Sequence, residues 1–158
     1  MAVTIEFRQS SATGSLGGAM SASAVPTTLN GFFDIVSSAE ASAGDTEYRC
    51  LYVANTGTTT ALSAKLWIQS NTANADNQIA IALGGEGVNG TAETVANENT
   101  APSGESFSEP SNEGAALSLG DLAQNDEYPV WVRRTVNAGA AADASEAFTL
   151  RVKYDYIP

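Results

Sequence analysis

An all-β fold, an antiparallel β-sandwich of about seven strands with long loops, is what this sequence predicts. Three observations carry the expectation. Short apolar segments alternate with period two at several places along the chain. Gly, Ser, Thr, Asn and Ala are plentiful between them, the composition of turns and loops. No segment shows the apolar spacing of a long amphipathic helix. The 158 residues suit one domain, 1–158, which can bury a core without disulfide or metal support. An immunoglobulin-like or a jelly-roll-like sandwich both fit the pattern.

Taken in order, residues 2–8 place Val3, Ile5 and Phe7 on one face and Thr4, Glu6 and Arg8 on the other, as in a half-buried strand. Residues 9–28 are mostly Ser, Ala, Gly and Thr. They have little to bury and read as a loop or an extended arm behind that strand. Phe32, Phe33, Ile35 and Val36 form a compact apolar group, either a short strand or one helical turn, and 39–45 read as a connector. In TEYRCLYVANTG (46–57), Tyr48, Cys50 and Tyr52 share one face while Arg49, Leu51 and Val53 share the other. Apolar groups on both faces mark a central strand. Asn55-Thr56-Gly57 tolerate positive φ, so the chain turns there and 61–69 reads as the second arm of a hairpin. Leu62, Ala64, Leu66 and Ile68 then point inward, and Ser63, Lys65, Trp67 and Gln69 outward. Residues 79–83 are a short strand, and 84–127 are long, irregular and acidic with a strand near 115–119. Residues 130–136 form a strand with Pro129 at its start, and 137–146 form a loop. The clearest strand is 147–156, with Phe148, Leu150, Val152, Tyr154 and Tyr156 inward.

The net charge is −11, from 18 acids against 7 bases. This argues against a nucleic-acid backbone or an anionic membrane as partner, since both recruit clustered Lys and Arg. No run reaches the length of a membrane-spanning helix, and the N-terminus does not resemble a secretory signal, so a soluble protein made in the cytoplasm is expected. Histidine is missing, which removes the commonest general base and metal ligand. Cys50 is the only cysteine and has only Arg49 beside it to activate a thiolate, so it reads as a small core residue. Residues 86–127 hold nine of the acids and no base, while all seven bases fall in predicted strands. The plain reading is a solvated loop and ordinary strand charges. The sharper one is complementarity between subunits, with Lys65, Trp67, Trp131, Arg133, Arg151 and Lys153 as the candidate interface, because aromatics beside arginine make good anchors.

Other motifs carry less. Gly85-Glu86-Gly87-Val88-Asn89-Gly90 has the glycine spacing of a dinucleotide loop, but no helix follows and Glu86 would repel a pyrophosphate. Asn89-Gly90-Thr91 matches a glycosylation acceptor in a chain without a secretory signal. Asn74, Asp76 and Asn77, or Asp121, Asn125, Asp126 and Glu127, offer oxygens for Ca²⁺ but match no EF-hand. No spacing selects a carboxylate pair for glycoside hydrolysis. No catalytic residue, cofactor or metal site is expected.

FFDIVSSAEASAGDTEYRCLYVANTG (32–57), VWVRRTVNAGAA (130–141) and LRVKYDYIP (150–158) together resemble uncharacterised virion structural proteins of tailed bacteriophages. The resemblance covers about a third of the chain. It implies a non-enzymatic β-sandwich subunit of the virion. The leading expectation is a decoration or cementing protein on the outer surface of the major capsid shell. Its partners would be the major capsid protein or other virion subunits, and copies of itself, with a trimer favoured. A tail, baseplate or head–tail connector subunit is the alternative. A carbohydrate-binding adhesion module, with Trp67, Trp131 or the tyrosines as stacking platforms, is the third.

Overall fold

The computed structural model describes residues 2–143 and 145–157; Met1, Ala144 (in the loop read at 137–146) and Pro158 lie outside the described residues. Among the described residues, eight strands form two antiparallel sheets, which make a β-sandwich. They are β1 (Ile5–Ser10), β2 (Met20–Ala24), β3 (Asp45–Asn55), β4 (Ala61–Ser70), β5 (Asn77–Leu83), β6 (Leu117–Leu122), β7 (Glu127–Val136) and β8 (Thr149–Asp155). The larger sheet runs β2-β1-β3-β7-β5 and the smaller β6-β4-β8.

The main core lies between the sheets. Leu51 and Val53 of β3, Val130 and Val132 of β7, and Ile79 and Ile81 of β5 meet Leu66 and Ile68 of β4 and Leu119 and Leu122 of β6. β8 contributes Leu150, Val152 and Tyr154, as its alternation predicted, but Tyr156 lies past the strand and is 56% exposed. β3 is central, as its two apolar faces required. Its other face carries Cys50 and Tyr52 into a second cluster with Trp131, Ala82, Ala92 and Val95. The long acidic segment is thus not a solvated loop throughout: its residues 92–107 cover the outer face of the larger sheet.

That segment and the chain around Ser15 also complete hydrogen bonding that the strands leave open. β1 stops pairing with β3 at Leu51. Beyond it, the Cys50 N–H donates to the Ser15 carbonyl at 2.6 Å and the Tyr48 N–H to the Glu98 carbonyl at 2.7 Å. Ser108 bridges to Ile81 on the free edge of β5, and the Pro110 carbonyl accepts from Ile68 of β4. A buried backbone group without a partner would be costly, which fixes this irregular chain in place.

Four local expectations change. Residues 9–28 are not an arm: β2 folds back and pairs with β1. Five residues of Met, Ser and Ala have almost no burial signal, so pairing rather than periodicity makes this strand. β3 and β4 are not a hairpin; they lie in different sheets. The turn at 55–60 crosses the sandwich, held by Asn55, whose side-chain amide donates to the Thr59 and Leu122 carbonyls at 2.8 and 2.9 Å. The connector at 39–45 contains a helix, α1 (Ser38–Ala43). Its capping box is complete: Ser37 Oγ accepts from Glu40 N, and the Glu40 carboxylate accepts from Ser37 N. β4 carries a bulge at Ser63 (φ 50°), which places both Ala61 and Ala64 in the core and leaves Leu62 only half-buried.

Candidate functional site

The six interface candidates separate in the structure. Trp131 is fully buried on the outer face of the larger sheet, opposite Cys50 in the ladder and beneath the long loop. Alternation placed it correctly on the outward side; it could not say that the chain's own loop covers that side. The Trp131 Nε1 group has no hydrogen-bond partner among the described residues. Trp67 is 7% exposed. Burial takes both indoles out as stacking platforms for a carbohydrate and leaves the tyrosines, of which Tyr156 is 56% exposed. Arg133 lies with its guanidinium 5.1 Å from the Phe107 ring and is also drawn into the loop contact. Lys65, Arg151 and Lys153 remain together on the outer face of the smaller sheet. The Arg151 guanidinium sits 5.7 Å from the Trp67 ring, and Lys153 bonds Glu113 at 2.6 Å. Glu113 belongs to a short 3-10 turn (Glu113–Ala115) held by the Asn112 side chain. Its carboxyl is lowered by the hydrogen bond from Lys153, and the ammonium is raised by the same bond.

A second constellation was not foreseen. At one end of the inter-sheet core, Glu47 and Arg49 of β3 lie beside Arg134 of β7. All three are buried, and Glu47 is 1% exposed. Arg134 Nε donates to Glu47 at 2.5 Å, and its Nη1 donates to the Asp34 carbonyl at 2.8 Å. Arg49 Nη2 donates to Glu98 at 2.5 Å and lies 3.7 Å from Asp34. The Phe33 ring lies close to both guanidinium groups, 5.5 Å from that of Arg49 and 4.8 Å from that of Arg134. The network therefore fastens two loops, through Asp34 and Glu98, to adjacent strands. Glu47, two residues before Arg49 on the same face of β3, was the signal the sequence offered for a buried pair.

Burial pushes the Glu47 carboxyl up to about 7, against the opposing pull of Arg134. The carboxylate oxygens of Asp34, Glu47 and Glu98 lie within 4.8 Å of one another. Two guanidinium groups already supply the positive charge that such a set demands. The other oxygen clusters serve as turn caps: Asn74 Oδ1 accepts from Asp76 N, Asp121 Oδ1 from Ser63 N, and Asp126 from Asn89 and Ala123. The glycine-rich stretch 85–90 forms successive turns without a following helix, and the Glu86 carboxylate accepts from Glu93 N. Burial raises the Cys50 thiol to about 12, which suits a packed core group. The Tyr52 hydroxyl, also raised to about 12 by burial, donates to the Gly18 carbonyl at 2.6 Å and accepts from Ala92 N at 2.9 Å.

No protein-family model, curated protein or solved structure matches this chain.

Proposed function

We propose that this chain is a non-enzymatic structural protein of a tailed-phage virion, and within that class a decoration protein bound to the outer surface of the major capsid shell. The observation that carries the reading is the use the fold makes of residues 32–57, the segment on which the virion resemblance is strongest. Glu40 caps α1, and Glu47 and Arg49 enter the buried charge network. Tyr52 ties the 17–18 turn to the long loop. Asn55 closes the crossover between the sheets. Cys50 packs beside Trp131. These side chains are spent on architecture, as suits a building block rather than a site that must stay open to substrate. The clamped loops give a rigid surface, and rigid surfaces lose little entropy on docking.

Co-sedimentation with phage particles separated into filled heads and detached tails tests the proposal. Saturable binding to heads, at a fixed ratio to the capsid subunit, is the expected result. Binding to tails alone would transfer the protein to the tail or connector class, and binding to neither would sink the virion reading.

A further inference from the structure

The chain's only two lysines, Lys65 and Lys153, are register partners on β4 and β8. Like charges placed directly opposite in a sheet weaken it. The fold offsets this arrangement only in part. Glu113 bonds Lys153, but the two side chains are 46% and 52% exposed. One pair along, Arg151 faces Trp67 in the ladder and, among the described residues, bonds Gln69 Oε1 at 3.5 Å rather than a carboxylate. Among the described residues, neither Lys65 nor Arg151 takes part in an ion pair. Four of the other five charged groups of the same sign have been consumed or covered: Arg8 by Glu6, Arg49 and Arg134 by the buried network, and Arg133 by Phe107. Asp155, exposed, ends the outward row of β8.

We propose that this face binds the same face of a second copy of the chain about a two-fold axis, with Lys65 and Arg151 of each copy meeting Glu113 and Asp155 of the other. The patch carries both signs, which a self-complementary two-fold contact requires. It is also the place where two chains of charge −11 can approach with least repulsion, since three of the seven bases gather there. The Trp67 ring holds the Arg151 guanidinium from below, so an arginine beside an aromatic anchor is already positioned. The outer face of the larger sheet offers no equivalent, being covered by residues 92–107. Such a contact gives a two-fold pair in place of the trimer suggested by sequence. It does not depend on the virion reading: a chain that pairs with itself but never sediments with particles would overturn that reading alone.

Sedimentation equilibrium of the intact chain in physiological salt, where charges further apart than about 8 Å are screened, reads the pairing directly. The wild type is expected to shift from monomer to dimer with concentration. Lys65→Glu and Glu113→Lys, each alone, should weaken the dimer by about tenfold or more, because each sets like charges face to face. The double variant Lys65→Glu/Glu113→Lys should recover it, because the pairs are restored with reversed sign. Arg151→Gln, a milder change on an exposed side chain, repeats the test without a charge reversal should either of the others fold poorly. A chain that is monomeric at every concentration, a dimer indifferent to these substitutions, or a double variant no tighter than its parents would contradict the proposal.

Discussion

The buried network around Glu47 and the exposed cluster around Lys153 are built from the same kinds of side chain and do opposite work. At Glu47, the central carboxylate and both guanidinium groups are buried while Asp34 and Glu98 reach outward, and each guanidinium reaches a carboxylate beside the Phe33 ring. Opening that network strands a charge in the core. At Lys153, one half-exposed ion pair leaves Lys65 and Arg151 unmatched. The first cluster has its partners within the chain and clamps two loops to the larger sheet. The second is incomplete, and a partner can complete it. The difference shows that a tally of charges says little about role; burial and saturation decide it.

The largest effect should come from breaking the enclosed cluster. Arg134→Ala removes the partner of a buried carboxylate and is expected to cost about 3–5 kcal/mol, read as a lower urea midpoint. Tyr52→Phe comes next. It leaves the Ala92 N–H and the Gly18 carbonyl without their bond, for about 1–3 kcal/mol, and should speed amide exchange at Ala92. Phe33→Leu keeps an apolar plug but loses the ring beside the two guanidinium groups, and should cost about 1–2 kcal/mol.

The pH dependence of stability sharpens the contrast. The folded-state carboxyl of Glu47 lies at about 7, above its ordinary 4.5. The folded chain therefore holds this proton more tightly than the unfolded chain does. The contribution of Glu47 is greatest below about pH 4.5, falls as pH rises through the window to 7, and is level above it. Glu47→Gln should flatten that fall when urea midpoints are compared across the window. If the wild-type and variant profiles ran parallel, the raised carboxyl would be contradicted. At the other cluster, Glu113→Gln should leave the unfolding midpoint of the dilute chain unchanged within error, because both members of that pair face solvent.

Much of this organisation was legible in the sequence, and the failures share a physical cause. The strict alternation of β8 and the two apolar faces of β3 report burial directly, and the structure places both as predicted except for Tyr156, which lies past the strand. β2 escaped because Met20–Ala24 is an edge strand made by pairing, with nothing apolar to mark it. α1 was within reach: Ser37 and Glu40 have capping-box spacing, but so short a helix has no periodic face. The turn at Asn55 was correct in place and wrong in consequence, since the same residues serve a hairpin or a crossover. Trp131 was assigned the correct side of its strand, but what covers that side is set by a loop some 30 residues away in sequence, beyond the reach of local pattern. The Glu47 network needs two distant loops, so only its β3 half could be read.

The most direct test of the division between these clusters is lysine-selective acylation followed by mass spectrometry, because Lys65 and Lys153 are the only lysines and both lie on the open face. In dilute protein both should react readily. As concentration rises and copies pair, both should be protected together, while the unfolding midpoint measured at fixed dilution stays the same. Acylation at equal rates across the concentration range would show that the face remains open, and would contradict the claim that it is the surface this chain offers to a second copy.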